Sequence, residues 1–419
     1  MNYKEERNSK FLAYFWDLAS NDDKCRISAC VNIVKFLVET SSSETHKTDV
    51  EYAIKRLLKG LSSSRLSARQ GFSTCLCEVL RCFASSNKDI ISSGLLLDIL
   101  DKETKITSSV KGAEERDLIF AKIFGMLSIV RSGLLLQEIN AKKGNKHFKV
   151  SLVNVNRIVT SLCQIYHSKK WVEEVVLESI FEMLYTLTPS SGGVADLAII
   201  HAMFGPDNKE NSELMGMLHQ LLKRASDFED GSDSDSDGEE DNEDFIQGNN
   251  PNHLMLLLAM QQFLMHLRMG SQKNGSEQFA DISTKLMALF PQRRFISLAT
   301  GADDSTGVQL ASVRTLLMKA TAHFPKIHSV WDYVLSAVVI GERGADGLNK
   351  AQEGQLLVWV QWLQSSLLTV SSHEKKSVGL KLIARCILHR AVPAEFMPLV
   401  VPTLCTTLLG TLSRSSKGE

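Results

Sequence analysis

Apolar residues recur along this chain at i, i+3, i+4, i+7 and i+8, the rhythm of helices that each bury one stripe. In 51–61 the stripe is Ala53, Ile54, Leu57, Leu58 and Leu61; in 66–83 it is Ala68, Phe72, Cys75, Leu76, Val79, Leu80 and Phe83. Gly60 relaxes the backbone between them, and Ser62 to Ser64 offer hydroxyls to cap the second helix. Two helices joined by so short a turn lie antiparallel and share a core. The same reading predicts helices at 11–19, 26–39, 95–100, 116–136, 150–166, 171–187, 195–203 and 212–225. Further on, it predicts them at 251–269, 276–289, 308–323, 329–339, 353–370, 374–389 and 395–412. The helix 116–136 is apolar around most of its circumference, so it is expected inside, with Gly125 admitting a neighbouring backbone.

Strand-like alternation is scarce, and no proline precedes Pro189. The expectation is therefore all-α. Adjacent helical pairs over 419 residues favour an armadillo/HEAT-like helical-repeat solenoid over one compact bundle, because a single all-α core stops growing well before this length. The rhythm breaks at 226–251, which is dense in Ser, Asp, Glu and Asn and too poor in apolar residues to offset chain entropy. Three regions follow: a helical-repeat region at 1–225, a disordered acidic Ser-rich linker at 226–251, and a second helical-repeat region at 252–419.

Charge sharpens that division. The formal net charge is −1, yet residues 226–245 hold 11 acids and no Lys or Arg, which leaves 37 acidic against 47 basic residues elsewhere. A mildly basic body carries one acidic belt. Within the belt Ser232, Ser234 and Ser236 each have an acid three residues on, the pattern favoured by acidophilic kinases, so they are candidate phosphorylation sites. Lys55, Arg56, Lys59, Arg65 and Arg69 crowd the hairpin and form a candidate basic contact ridge opposite its apolar stripe, for nucleic acid or an acidic partner. Other basic pairs are scattered, and no cluster long enough for a nuclear localisation signal is readable.

The 8 cysteines contain no Cys-x-x-Cys pair and sit mostly at apolar helical positions, as free buried thiols do in a reducing compartment. No signal-peptide core opens the chain, and no apolar run reaches the ~18 residues of a membrane span, so an intracellular soluble protein is expected. Catalytic patterns fare poorly. Asp303-Asp304 sits in a Gly-rich stretch without strands, and Gly270 to Gly275 lacks the lysine of a phosphate-binding loop. Cys75 and Cys77 diverge on a helix, and His323 and His328 flank Pro325 without further ligands. His266 is read as a packed or edge histidine. No catalytic residue, metal or cofactor is expected.

Three segments carry a family resemblance: Phe11-Leu-Ala-Tyr-Phe-Trp-Asp-Leu-Ala19, Tyr52-Ala-Ile-Lys-Arg-Leu-Leu-Lys-Gly-Leu-Ser-Ser-Ser-Arg65 with Ala68-Arg-Gln-Gly-Phe-Ser73, and Asp117-Leu-Ile-Phe-Ala-Lys-Ile-Phe-Gly-Met-Leu-Ser-Ile-Val-Arg-Ser-Gly133. In order and spacing they resemble the Myb-binding protein 1A and DNA polymerase phi family of nucleolar proteins. The resemblance is clear over 11–136 and faint beyond, and an acidic Ser-rich insert is typical of the family. It implies an armadillo-type nuclear and nucleolar protein, a non-enzymatic scaffold and transcription co-regulator in rRNA gene transcription and ribosome biogenesis. Implied partners are transcription factors or the RNA polymerase I machinery, and rDNA chromatin; neither a membrane nor a small-molecule substrate is implied. The alternative is a HEAT-type transport or assembly adaptor without a nucleolar role. Family members are longer and usually end in a lysine-rich tail, whereas this sequence ends at Ser413-Arg-Ser-Ser-Lys-Gly-Glu419.

Overall fold

The computed structural model describes residues 3–87, 91–141, 146–188, 194–204, 327–334, 350–370 and 372–388, with short helical pieces at 213–214, 216–217, 251–252, 255–256, 258–260, 262–263 and 317–318 and residue 405. No strand occurs among the described residues. Those up to Met217 form one compact unit and the later ones belong to a second.

The first unit begins with α1 (Tyr3–Asp17) and α2 (Asp23–Glu39), followed by α3 (His46–Gly60) and α4 (Leu66–Phe83). Then come α5 (Ser93–Glu103), α6 (Ala113–Arg131), α7 (Leu134–Ala141), α8 (Lys146–Ser168), α9 (Glu173–Leu187) and α10 (Val194–Phe204). They pack as two files. In one, α2 touches α4, α4 touches α6 and α6 touches α9; in the other, α3 touches α5, α5 touches α8 and α8 touches α10. Rungs between the files are the pairs α3–α4, α5–α6 and α8–α9, and α1 pairs with α2.

The apolar stripes make these contacts. Leu57, Leu58 and Leu61 of the α3 hairpin arm and Leu76, Val79 and Leu80 of α4 are fully buried between the files. Each such side chain contributes roughly 1.5–3 kcal/mol. The all-round apolar α6 is covered by α4, α5, α7, α8 and α9, as its sequence predicts. Cys75 of α4 meets Cys30 of α2 in this interior; Cys30 bonded to it and burial both push the Cys75 thiol well up.

Several local expectations are corrected. The helix read as 116–136 is two: Gly133 adopts φ +78°, a left-handed conformation that ends α6 at Arg131 before α7 begins. None of Ser62 to Ser64 is the N-cap of α4. That residue is Arg65; Ser62 Oγ instead donates to the Lys59 carbonyl at 2.9 Å, and Ser63 Oγ accepts from the Arg65 amide at 3.3 Å. Gly125 makes room for the Leu100 side chain rather than for a backbone. The close backbone approach lies at Gly71, where an added Cβ would stand 2.0 Å from the Leu18 carbonyl oxygen.

In the second unit α11 (Val330–Val334), α12 (Lys350–Leu363) and α13 (His373–Leu388) are described, with a π turn at Gln364–Leu368 that packs on both α12 and α13. Trp331, Trp359 and Trp362 form one aromatic cluster, with ring centroids 4.8–6.1 Å apart. His328 has a local role: Nδ1 accepts from the Val330 amide at 3.1 Å and Nε2 lies 2.9 Å from Asn252 Oδ1. It caps the start of α11.

Candidate functional surface

The α3 sequence separates two faces. Val50, Ala53, Ile54, Leu57 and Leu58 point into the core, so Tyr52, Lys55, Arg56 and Lys59, at i, i+3, i+4 and i+7, must share the outer one. Lys55 and Lys59 are exposed there; Lys55 is paired to Glu51 at 2.7 Å, an exposed i,i+4 contact of a few tenths of a kcal/mol. Arg56 and Lys59 have no carboxylate partner among the described residues.

α1 completes this face. Phe11, Phe15 and Leu18 are buried, and Phe15 meets Tyr52 edge-on with centroids 6.0 Å apart. Trp16 lies outside that stripe and is 72 % exposed, yet the Arg56 guanidinium stands 5.8 Å from its ring centroid. Such a cation–π contact stabilises an exposed pair by about 0.5–1 kcal/mol. Leu12, one turn before Trp16, is exposed as well. Sequence reading singled out the cations and left Trp16 and Tyr52 unassigned. The available signal was that Leu12 and Trp16 make a second i, i+4 row beside the buried one.

The expected ridge also loses a member. Arg65 is exposed, but Arg69 is buried and faces α6. Its guanidinium donates to Asp117 Oδ1 at 3.1 Å and to the Ser63 carbonyl at 2.7 Å, and lies 5.1 Å from the Phe120 ring. Arg69, Ser73, Leu76 and Leu80 share one row of α4, and Ser73 next along it bonds Ser128 of α6 at 2.9 Å. Arg69 therefore clasps α4 to α6 and cannot serve an external ligand.

Similar polar ties recur between other helices. Arg157 of α8 holds Asp98 and Asp101 of α5 at 2.8 and 2.5 Å, and Lys122 of α6 reaches Asp101 at 2.9 Å. Burial pushes the Asp101 carboxyl up, but its bonds to Lys122 and Arg157 outweigh this and hold it below its ordinary value. Arg131 of α6 binds Glu182 of α9 through both its Nε and Nη2.

Ser232, Ser234, Ser236, Asp303, Asp304, Gly270 to Gly275, His266 and His323 lie outside the described residues. Among the described residues, no group of three or more His, Cys, Asp or Glu is placed to hold a metal ion, and no helix is long and apolar enough to cross a membrane.

Comparison with known proteins places the chain. The rDNA transcriptional regulator pol5 of Schizosaccharomyces pombe is 30 % identical over 213 residues, which covers 51 % of this chain and 20 % of that protein. The rDNA transcriptional regulator POL5 of Saccharomyces cerevisiae is 31 % identical over 191 residues, 42 % of this chain and 18 % of its own length. Myb-binding protein 1A of Mus musculus is 32 % identical over 135 residues, 32 % of this chain and 9 % of its own. The matched stretch thus spans about a fifth or less of each relative. No solved structure matches. These relatives are named as regulators or binding proteins, although the family carries a polymerase name. The model of the DNA polymerase phi family matches residues 52–277, more than half of the chain, and the chain belongs to that family.

Proposed function

We propose that this chain is a non-enzymatic scaffold of armadillo/HEAT-like helical repeats that acts in the nucleolus, in rRNA gene transcription and ribosome biogenesis. The observation that carries this reading is that the stacked hairpins from α3 to α10, apart from the first six residues of α3, lie within residues 52–277 that match the family model, and that relatives matching this chain are named rDNA transcriptional regulators. Two files of helices present long outer faces, and such faces bind partners along their length. The name of the Myb-binding relatives supports transcription factors as one partner class, beside the RNA polymerase I machinery and rDNA chromatin.

The acidic segment 226–251 acts in this reading as a tunable electrostatic element. Phosphorylation of Ser232, Ser234 and Ser236 would add about −1.5 to −2 charge each beside a body of opposite sign. The test is to express the tagged chain in cells, with and without 226–251, and to map its location and its cross-linking to rDNA. Nucleolar enrichment with rDNA occupancy is expected. Exclusion from the nucleolus would sink the reading, and unchanged occupancy after the deletion would reduce the segment to a linker.

A further inference from the structure

An indole that is 72 % exposed with an arginine over its ring, beside a helix that carries a half-exposed tyrosine one turn before that arginine, is an unusual group to leave in water. We propose that the face formed by Trp16, Tyr52, Arg56 and Lys59 binds single-stranded RNA by stacking its bases. The proposal rests on the rDNA-transcription reading above only for the choice of RNA, because the unpaired strand met at a transcribed gene is chiefly the transcript.

The chemistry on this face narrows the ligand. A site for duplex phosphates needs cations, and exposed rings add nothing there because the bases are already stacked inside the helix. Unpaired bases offer π-faces that aromatic side chains and guanidinium planes can cover. Trp16 and Tyr52 supply the rings, Arg56 supplies a guanidinium already held against one of them, and Lys59 supplies a cation for the backbone. From Tyr52 to Lys59 is two helical turns, roughly 10 Å, enough for about three nucleotides at the stacked rise. An acidic peptide would satisfy Arg56 and Lys59 but leave the exposed ring of Trp16 unused. With only Arg56 and Lys59 uncompensated, binding should depend weakly on salt, with a log–log slope of about −1 to −2.

The test uses the purified full chain and the fluorescence anisotropy of a short labelled oligouridylate, with a labelled DNA duplex as the second arm. Trp16→Ala is expected to weaken oligouridylate binding by about five- to a hundredfold, the range for losing one stacked base. Trp16→Phe should keep most of the affinity, and Trp171→Ala, which removes a half-exposed indole elsewhere in the unit, should leave it unchanged. Circular dichroism of each variant confirms the fold. The proposal is overturned if Trp16→Ala binds within twofold of the unmodified chain, if Trp171→Ala loses as much, or if the duplex binds more tightly than the oligouridylate. Failure here leaves the nucleolar reading standing, because that reading is scored in cells by location and rDNA occupancy.

Discussion

Asp117→Ala would strand the Arg69 guanidinium in the α4–α6 contact. The two side chains are 8 % and 10 % exposed and bonded at 3.1 Å, so neither can turn to water without opening the helices. Removing one partner of such a buried pair costs about 3–5 kcal/mol. The low end applies here, since the Ser63 carbonyl at 2.7 Å and the Phe120 ring remain to the guanidinium. About 3 kcal/mol corresponds to a hundredfold or somewhat more in an opening equilibrium. Native-state hydrogen exchange, read by mass spectrometry on the full chain, isolates this event: amides of α4 and α6 should exchange about a hundredfold faster, while those of the second unit are unaffected. The double variant Arg69→Met with Asp117→Leu should recover most of the loss. It leaves no charge buried, and it removes an Nε that has no partner even in the unmodified chain. Acceleration of less than about threefold in Asp117→Ala, or a double variant no better than the single one, would refute the clasp.

Two glycines should respond to alanine in opposite directions. Gly71→Ala drives a Cβ against the Leu18 carbonyl and should destabilise the first unit by about 2 kcal/mol or more, whereas Gly354, inside α12 with nothing near it, should gain roughly 0.5–1 kcal/mol; thermal melts decide both. Asp101 predicts acid lability. Its folded pKa is depressed, so its contribution is complete above the ordinary 3.8 and is lost as pH falls from there through the folded value; exchange of α5 and α8 should quicken across that window, and Asp101→Asn should flatten the response. Among thiols, exposed Cys82, though desolvation and Glu78 raise its thiol above the ordinary value, should alkylate well before Cys163, which burial pushes to about 12, and Cys75, which should resist until the unit unfolds; early labelling of Cys163 would contradict its packing.

Helix identity was legible because burial repeats at helical spacing, and this holds even where the breaks do not show. Leu134 to Leu136 continue the rhythm of α6, so the pattern runs on across Gly133, and only the left-handed backbone there reveals the stop. The start of α1 escaped for the reverse reason: 3–10 is polar and carries no stripe. Arg69 shows why sites are harder to read than folds. Its place in the row of Leu76 and Leu80 argued for burial, but the carboxylate that makes burial tolerable lies 48 residues away and has no local signature. Trp16 fails similarly. Its neighbours Phe11 and Phe15 are buried, and composition cannot distinguish the ring that packs from the ring that faces water.

The side-chain bonds Arg69–Asp117, Arg131–Glu182, Ser73–Ser128 and those of Arg157 to Asp101 and Asp98 join residues 48 to 59 apart, which is the step from one hairpin to the next. In the repeat array proposed above, such a ladder would behave in one dimension: the stability of each hairpin would rest on its two flanks, so the unit could open at a single boundary as a zipper does, with the remaining hairpins still closed. It also keeps loop closure short, so each hairpin can dock as soon as its neighbour exists, and folding can proceed in the order of synthesis. Gly71 sits at one of these boundaries. A side chain there would loosen α1 and α2 from the rest, parting Trp16 from Tyr52, Arg56 and Lys59 of α3 while the later hairpins still fold.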